Sequence, residues 1–161
     1  MTAVTHQSEL AGGRDESCPF CQIANGQDST VLVVAEAPEW VAFFPPEPAT
    51  NGHTLIIPRV HVPDFWALEA HLACSLTQAA QQVGVALRRI IQPEGLNLIT
   101  SAGAAAEQTV FHVHLHVVPR WSSDGFGRIW PDSDVSQAAS QVPAIAALLR
   151  DALTSADTKL S

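Results

Sequence analysis

Basic residues are scarce in this chain: Lys and Arg number 8 against 16 Asp and Glu, giving a formal net charge of −8. A nucleic-acid surface needs clustered cations, so no nucleic-acid partner is expected. A single nucleotide is not excluded, because a pocket can present local donors to phosphate within an acidic protein. Long apolar runs are also missing. None approaches the roughly 18 residues that a membrane-spanning helix needs, so no membrane association is expected. No apolar stretch follows a basic opening, so no secretory signal is expected and the chain reads as cytoplasmic. Cysteine is limited to three residues, two of them close together, which suits a metal or thiol site better than a disulfide framework.

What remains is a chain of 161 residues, 47% of them hydrophobic, long enough to bury a core. The polar, glycine-containing stretch 1–17 reads as a disordered leader. A main domain over 18–121 and a C-terminal loop and helix extension over 122–161 complete the expected organisation. Cys18 to Ala24 reads as a short helical turn that Asn25-Gly26 ends. Thr30 to Glu36, Trp40 to Phe44 and His53 to Ile57 read as strands, with the proline-rich stretch Pro45 to Pro48 as an extended loop. Leu72, Leu76, Ala79, Ala80, Val83, Leu87, Ile90 and Ile91 recur at three- and four-residue intervals, predicting an amphipathic helix from about Glu69 to Gln92. Leu96 to Ser101 is a fourth strand, and Pro143 is expected to start a terminal helix. The pattern β-β-β-α-β-β predicts an α+β fold: a five-stranded, mainly antiparallel sheet with one long helix across a face.

The fifth strand carries the chemistry. In Phe111 to Arg120, F-H-V-H-L-H-V-V-P-R, His112, His114 and His116 alternate with apolar residues, the period of a strand. Phe111, Val113, Leu115 and Val117 are expected to pack on one side while three imidazoles line the other, with Pro119 closing the strand. Imidazole ionises near neutrality, so the row suits proton transfer, nucleophilic attack or metal binding. Cys18-x-x-Cys21 is half of a zinc site by spacing, although a redox dithiol has the same spacing. A rival zinc site, open and made by the three histidines, is disfavoured. Imidazoles at i and i+4 of a straight strand lie about 13 Å apart, too far to share one ion.

The row H-V-H-L-H-V-V resembles the signature of the histidine triad (HIT) family of nucleotide hydrolases and transferases. The likeness extends to G-H-T-L-I-I-P-R-V-H upstream and Q-T-V-F before the row, and covers Cys18 to Trp121. It implies a dimer-forming fold of the kind just described, and a nucleotide or related phosphorylated small molecule as ligand. It implies His114 as the nucleophile and His116 as a contact to the reacting phosphate. His53 would support the triad, Gln108 and Thr109 would donate to phosphate oxygens, and Ser101 would stand near the phosphates. Phe20, Ile23 and Phe43 would enclose the base. It also implies that His61 and His112 join Cys18 and Cys21 around a structural zinc. Two positions depart from the family: Pro45 stands where an Asp usually grips the ribose hydroxyls, with Glu47 two residues on, and Ser101 stands where relatives often have Asn, its hydroxyl a partial substitute. Pro119-Arg120-Trp121 resembles a continuation found in some branches of the family, where Arg120 could meet a distal phosphate or be a surface arginine. The reading is therefore a zinc-stabilised hydrolase of a nucleotide-like phosphoester, phosphoanhydride or phosphoramidate. Its rivals are a non-catalytic ligand-binding or regulatory module, and an enzyme acting on a non-nucleotide substrate.

Overall fold

The structure, a computed structural model, describes residues 15–130 and 136–157. Most of the expected leader lies outside the described residues. Five strands form one sheet: β1 (Leu32–Glu36), β2 (Trp40–Phe44), β3 (Thr54–Pro58), β4 (Gly95–Ile99) and β5 (Leu115–Arg120). Their spatial order is β1-β2-β3-β5-β4, with every neighbouring pair antiparallel. Helix α1 (Pro19–Ala24) precedes the sheet, α2 (Ala70–Ile90) links β3 to β4, and α3 (Ser136–Asp157) ends the chain. This is the α+β architecture that the sequence pattern predicts. Two compact units part after Phe126, and α3 belongs to the second.

The central strand β3 is buried at every position, because both sheet faces are covered. On one face Ala42, Ile56, Leu115 and Val117 pack with Leu76, Ala79, Ala80 and Leu87 of α2. On the other, Val41, Phe43, Leu55 and Ile57 pack with Ile23 and Ala24 of α1. Each fully buried aliphatic or aromatic side chain here contributes about 1.5–3 kcal/mol. Strand alternation thus assigns Leu115 and Val117 to the α2 core and leaves His116 on the α1 face. Gly52 makes the turn into β3 with φ +80°. A Cβ there would lie 2.8 Å from Ile91 Cδ1 and 3.1 Å from Leu87 Cδ2. Only glycine lets the end of α2 close over the turn that presents His53.

Four expectations are corrected. The ladder of β5 begins at Leu115, so His112 and His114 precede the strand. The cause is local: the Val113 N–H donates to Val62 O at 2.7 Å, pairing this stretch with the loop after β3. Phe111 is 55% exposed and joins no core, while Pro119 sits inside β5. Pro143 lies within α3 and does not start it. The helix runs through the N–H that proline lacks.

Candidate active site and metal centre

Helix α1 begins at Pro19, whose fixed φ suits the first helical position, so Cys18 caps the helix and Cys21 follows within its first turn. Both thiols are buried and face the stretch before β5. Cys18 Sγ and Cys21 Sγ each lie 3.5 Å from His112 Nδ1, and Cys21 Sγ lies 3.4 Å from His61 Nδ1. One ligand atom from each of the four residues falls within 4.8 Å of the others. A tetrahedral ion with bonds of about 2.0–2.3 Å holds its ligands roughly 3.3–3.8 Å apart, so the three short spacings fit one. His112 Nε2–H donates to Pro58 O at 3.0 Å, which turns the Nδ1 lone pair toward the thiols. Burial pushes the His112 pKa down to about 4 and raises that of Cys21. The four residues named by the resemblance could hold a metal ion.

Beside this centre the remaining imidazoles form a second group. The Ala49 N–H donates to His53 Nδ1 at 3.1 Å. A backbone N–H can only donate, so His53 is protonated on Nε2, which donates to His116 Nδ1 at 2.9 Å. His116 therefore carries its proton on Nε2. His114 has the opposite arrangement: its Nδ1–H donates to His112 O at 2.8 Å, leaving a lone pair on Nε2. The His114 and His116 ring centroids lie 4.8 Å apart. Burial lowers the pKa of His53 and His114 and pushes that of His116 down to about 4, helped by His114 and His53. Three neutral imidazoles thus present one acceptor and one donor side by side.

Phe20 meets His114 edge-on, with ring centroids 5.1 Å apart, and Phe43 at 5.8 Å. Ile23 is buried in the same cluster. Ser101 lines a separate cavity with His53 and His116. Thr109 is exposed. The buried Gln108 has its amide engaged by backbone: Nε2 donates to Pro63 O and Val110 O, and Oε1 accepts from the Gly103 N–H. In this geometry it braces a loop. Arg120 is also held, by Asp124 at 2.6 Å and Asn97 at 2.8 Å, over the Phe126 ring at 4.3 Å. Its guanidinium holds the Asp124 carboxyl well below the usual range. Sequence reasoning missed Ala49 N–H and Pro58 O, which set two tautomers; main-chain groups leave no side-chain signal. It also passed over Glu107 and Phe126 beside the imidazoles.

An antiparallel five-stranded sheet bearing a triad of histidines and a Cys/His cluster defines the histidine triad class. A HIT domain family model matches residues 27–123, and the chain belongs to that family. A crystal structure of a HIT family protein from Bacillus anthracis is 32% identical, with a TM-score of 0.76, covering 85% of this chain and 97% of that one. A Zn-bound histidine triad family protein from Mycobacterium smegmatis is also 32% identical, with a TM-score of 0.65, over 84% and 97% of the two chains. Adenosine 5′-monophosphoramidase hnt1 of Schizosaccharomyces pombe is 32% identical over 121 residues, 74% of this chain and 87% of that protein. Relatives in the family therefore include hydrolases. Among the described residues no helix is long and apolar enough to cross a membrane.

Proposed function

We propose that this protein hydrolyses a nucleotide-like phosphoester, phosphoanhydride or phosphoramidate through a covalent intermediate on His114. The opposite tautomers of His114 and His116 carry this reading. Phosphoryl oxygens repel an anionic nucleophile, whereas the neutral Nε2 lone pair of His114 adds no charge of its own. As the N–P bond forms, the bond from phosphorus to the leaving group breaks, and the leaving group departs with the bonding pair. His116 Nε2–H donates to a phosphoryl oxygen and stabilises its growing charge. Water then attacks phosphorus, the N–P bond breaks with its electron pair returning to Nε2 of neutral His114, and the proton that the water gives up balances the one the leaving group takes from solvent. Phe20, Ile23 and Phe43 would flank the base, and Ser101 and Thr109 would stand near the phosphate.

Zinc is the metal we assign to Cys18, Cys21, His61 and His112, on donor chemistry and ligand spacing. Held by these four residues, zinc would have no open position for substrate and would supply structural support. Rapid quenching of wild-type protein with a nucleoside phosphoramidate should trap a phosphorus adduct on His114. The His114→Asn variant should lose several orders of magnitude in turnover while still binding ligand. Near-normal turnover in that variant would exclude covalent catalysis at this position.

A further inference from the structure

A cavity of about 230 Å³ opens beside His116 and His53. Its remaining lining is Ala49, Ile99, Ser101, Val118, Phe126 and Glu107. Among the described residues Glu107 is the one charged side chain in that lining, and no Lys or Arg lines it. Arg120, the basic residue beside Phe126, is turned to Asp124 and Asn97. The cavity therefore offers a carboxylate and an aromatic ring, a pairing that favours a cation and disfavours an anion.

Glu107 is held there against backbone preference. Its φ of +65° is left-handed, where a side chain other than glycine is uncommon. The surrounding loop determines that conformation. Glu107 N–H donates to Ala104 O at 3.0 Å, and Gln108 N–H donates to Gly103 O at 3.2 Å. The buried Gln108 amide returns the Gly103 N–H bond at 2.8 Å. His116, the donor to the phosphoryl oxygen in the hydrolase reading, lines this cavity, so a group leaving that phosphorus has this space beside it.

From this geometry we infer that Glu107 determines leaving-group specificity, selecting substrates whose leaving group bears an ammonium or guanidinium over those whose leaving group is anionic. The inference rests on the hydrolase reading above. Three phosphoramidates of one nucleoside test it, differing only in the leaving amine: one carries a second ammonium, one a carboxylate and one a neutral methyl. Wild-type protein should show a higher kcat/KM for the ammonium compound than for the carboxylate compound. Glu107→Gln should compress that ratio about fivefold to tenfold, and raised salt should compress it in the wild type alone. The same ratio is read as Kd with unreactive methylene analogues of the two charged compounds. An unchanged ratio in Glu107→Gln, by rate and by Kd, overturns the inference. No turnover of the neutral compound overturns the hydrolase reading instead, and the Kd ratio still decides the role of Glu107. Glu107→Gly, which relieves the positive φ, should match Glu107→Gln; retention of the wild-type ratio there would again refute a charge effect.

Discussion

His114 and His116 are the same side chain, yet their surroundings assign them opposite roles. Peptide groups make the assignment: the Ala49 N–H through His53 for His116, and the His112 carbonyl for His114. In the proposed mechanism the lone pair and the proton would thus be in place before substrate arrives, which is electrostatic preorganisation at the scale of single atoms. Pro45 poses the opposite problem, a residue that supplies neither charge nor donor where the family usually has Asp. A carboxylate on ribose hydroxyls contributes roughly 1.5–3 kcal/mol per bond. Glu47 is exposed two residues further on. Ribose recognition should accordingly be weak. Adenosine and 2′,3′-dideoxyadenosine monophosphates should bind with similar Kd, and Pro45→Asp should tighten only the first. A ribonucleotide preference of tenfold, about 1.4 kcal/mol, would sink the idea, and its loss in Glu47→Gln would name Glu47 as the reader. At this scale alternation marked His112, His114 and His116 as one row, whereas the grouping of His112 with the cysteines and of His53 with His116 followed from the resemblance and not from spacing. Direction was not legible in the sequence, because tautomers follow main-chain partners that every residue type shares.

At the scale of elements, periodicity located β2 without error and β3 and α2 to within a residue or two. It failed where a segment takes partners outside its own ladder. The alternation from Phe111 to Val117 is that of a strand, but Val113 bonds Val62, and two of the three histidines fall before the ladder begins. The bend is what brings His112 to the cysteines while His114 and His116 stay together. Pro143 misled for another reason: proline favours the first helical position but is tolerated inside a helix at a cost. The Cys/His cluster ties α1, the loop after β3 and the segment before β5. Cys18→Ser or Cys21→Ser should release bound zinc, which metal analysis would find at about one ion per chain of the wild type. Each should also lower the melting temperature, because metal-binding free energy is folding free energy. Metal-free wild-type protein that melts no lower than the metal-loaded form would overturn this.

For the whole molecule, the resemblance implies a twofold homodimer, and a sheet with an open β4 edge and exposed Leu98 is compatible with one. Light scattering should report twice the chain mass of 17.2 kDa; a monomer throughout the micromolar range would refute it. Global stability should also depend on pH through the buried imidazoles. His116 is pushed from its ordinary value of 6.5 to about 4 by burial and by neighbouring His114 and His53. Between those values the folded protein keeps His116 neutral while the unfolded chain takes up a proton. The unfolded state then binds more protons, so stability rises with pH across this window. His116 costs nothing above about pH 6.5, and its destabilising effect grows as pH falls toward about 4 and levels off below. At pH 5 the loss is about 1–2 kcal/mol, a full shift giving 1.36 kcal/mol per pH unit before solvent screening. Thermal melts at pH 7.5 and pH 5.0 should therefore differ more for wild-type protein than for His116→Asn, which has nothing to protonate there. His53 shifts in the same direction, so the variant should lose only part of the dependence. If His116→Asn weakens with acid as steeply as the wild type, the imidazole is no drain on acid stability and its burial has been misjudged.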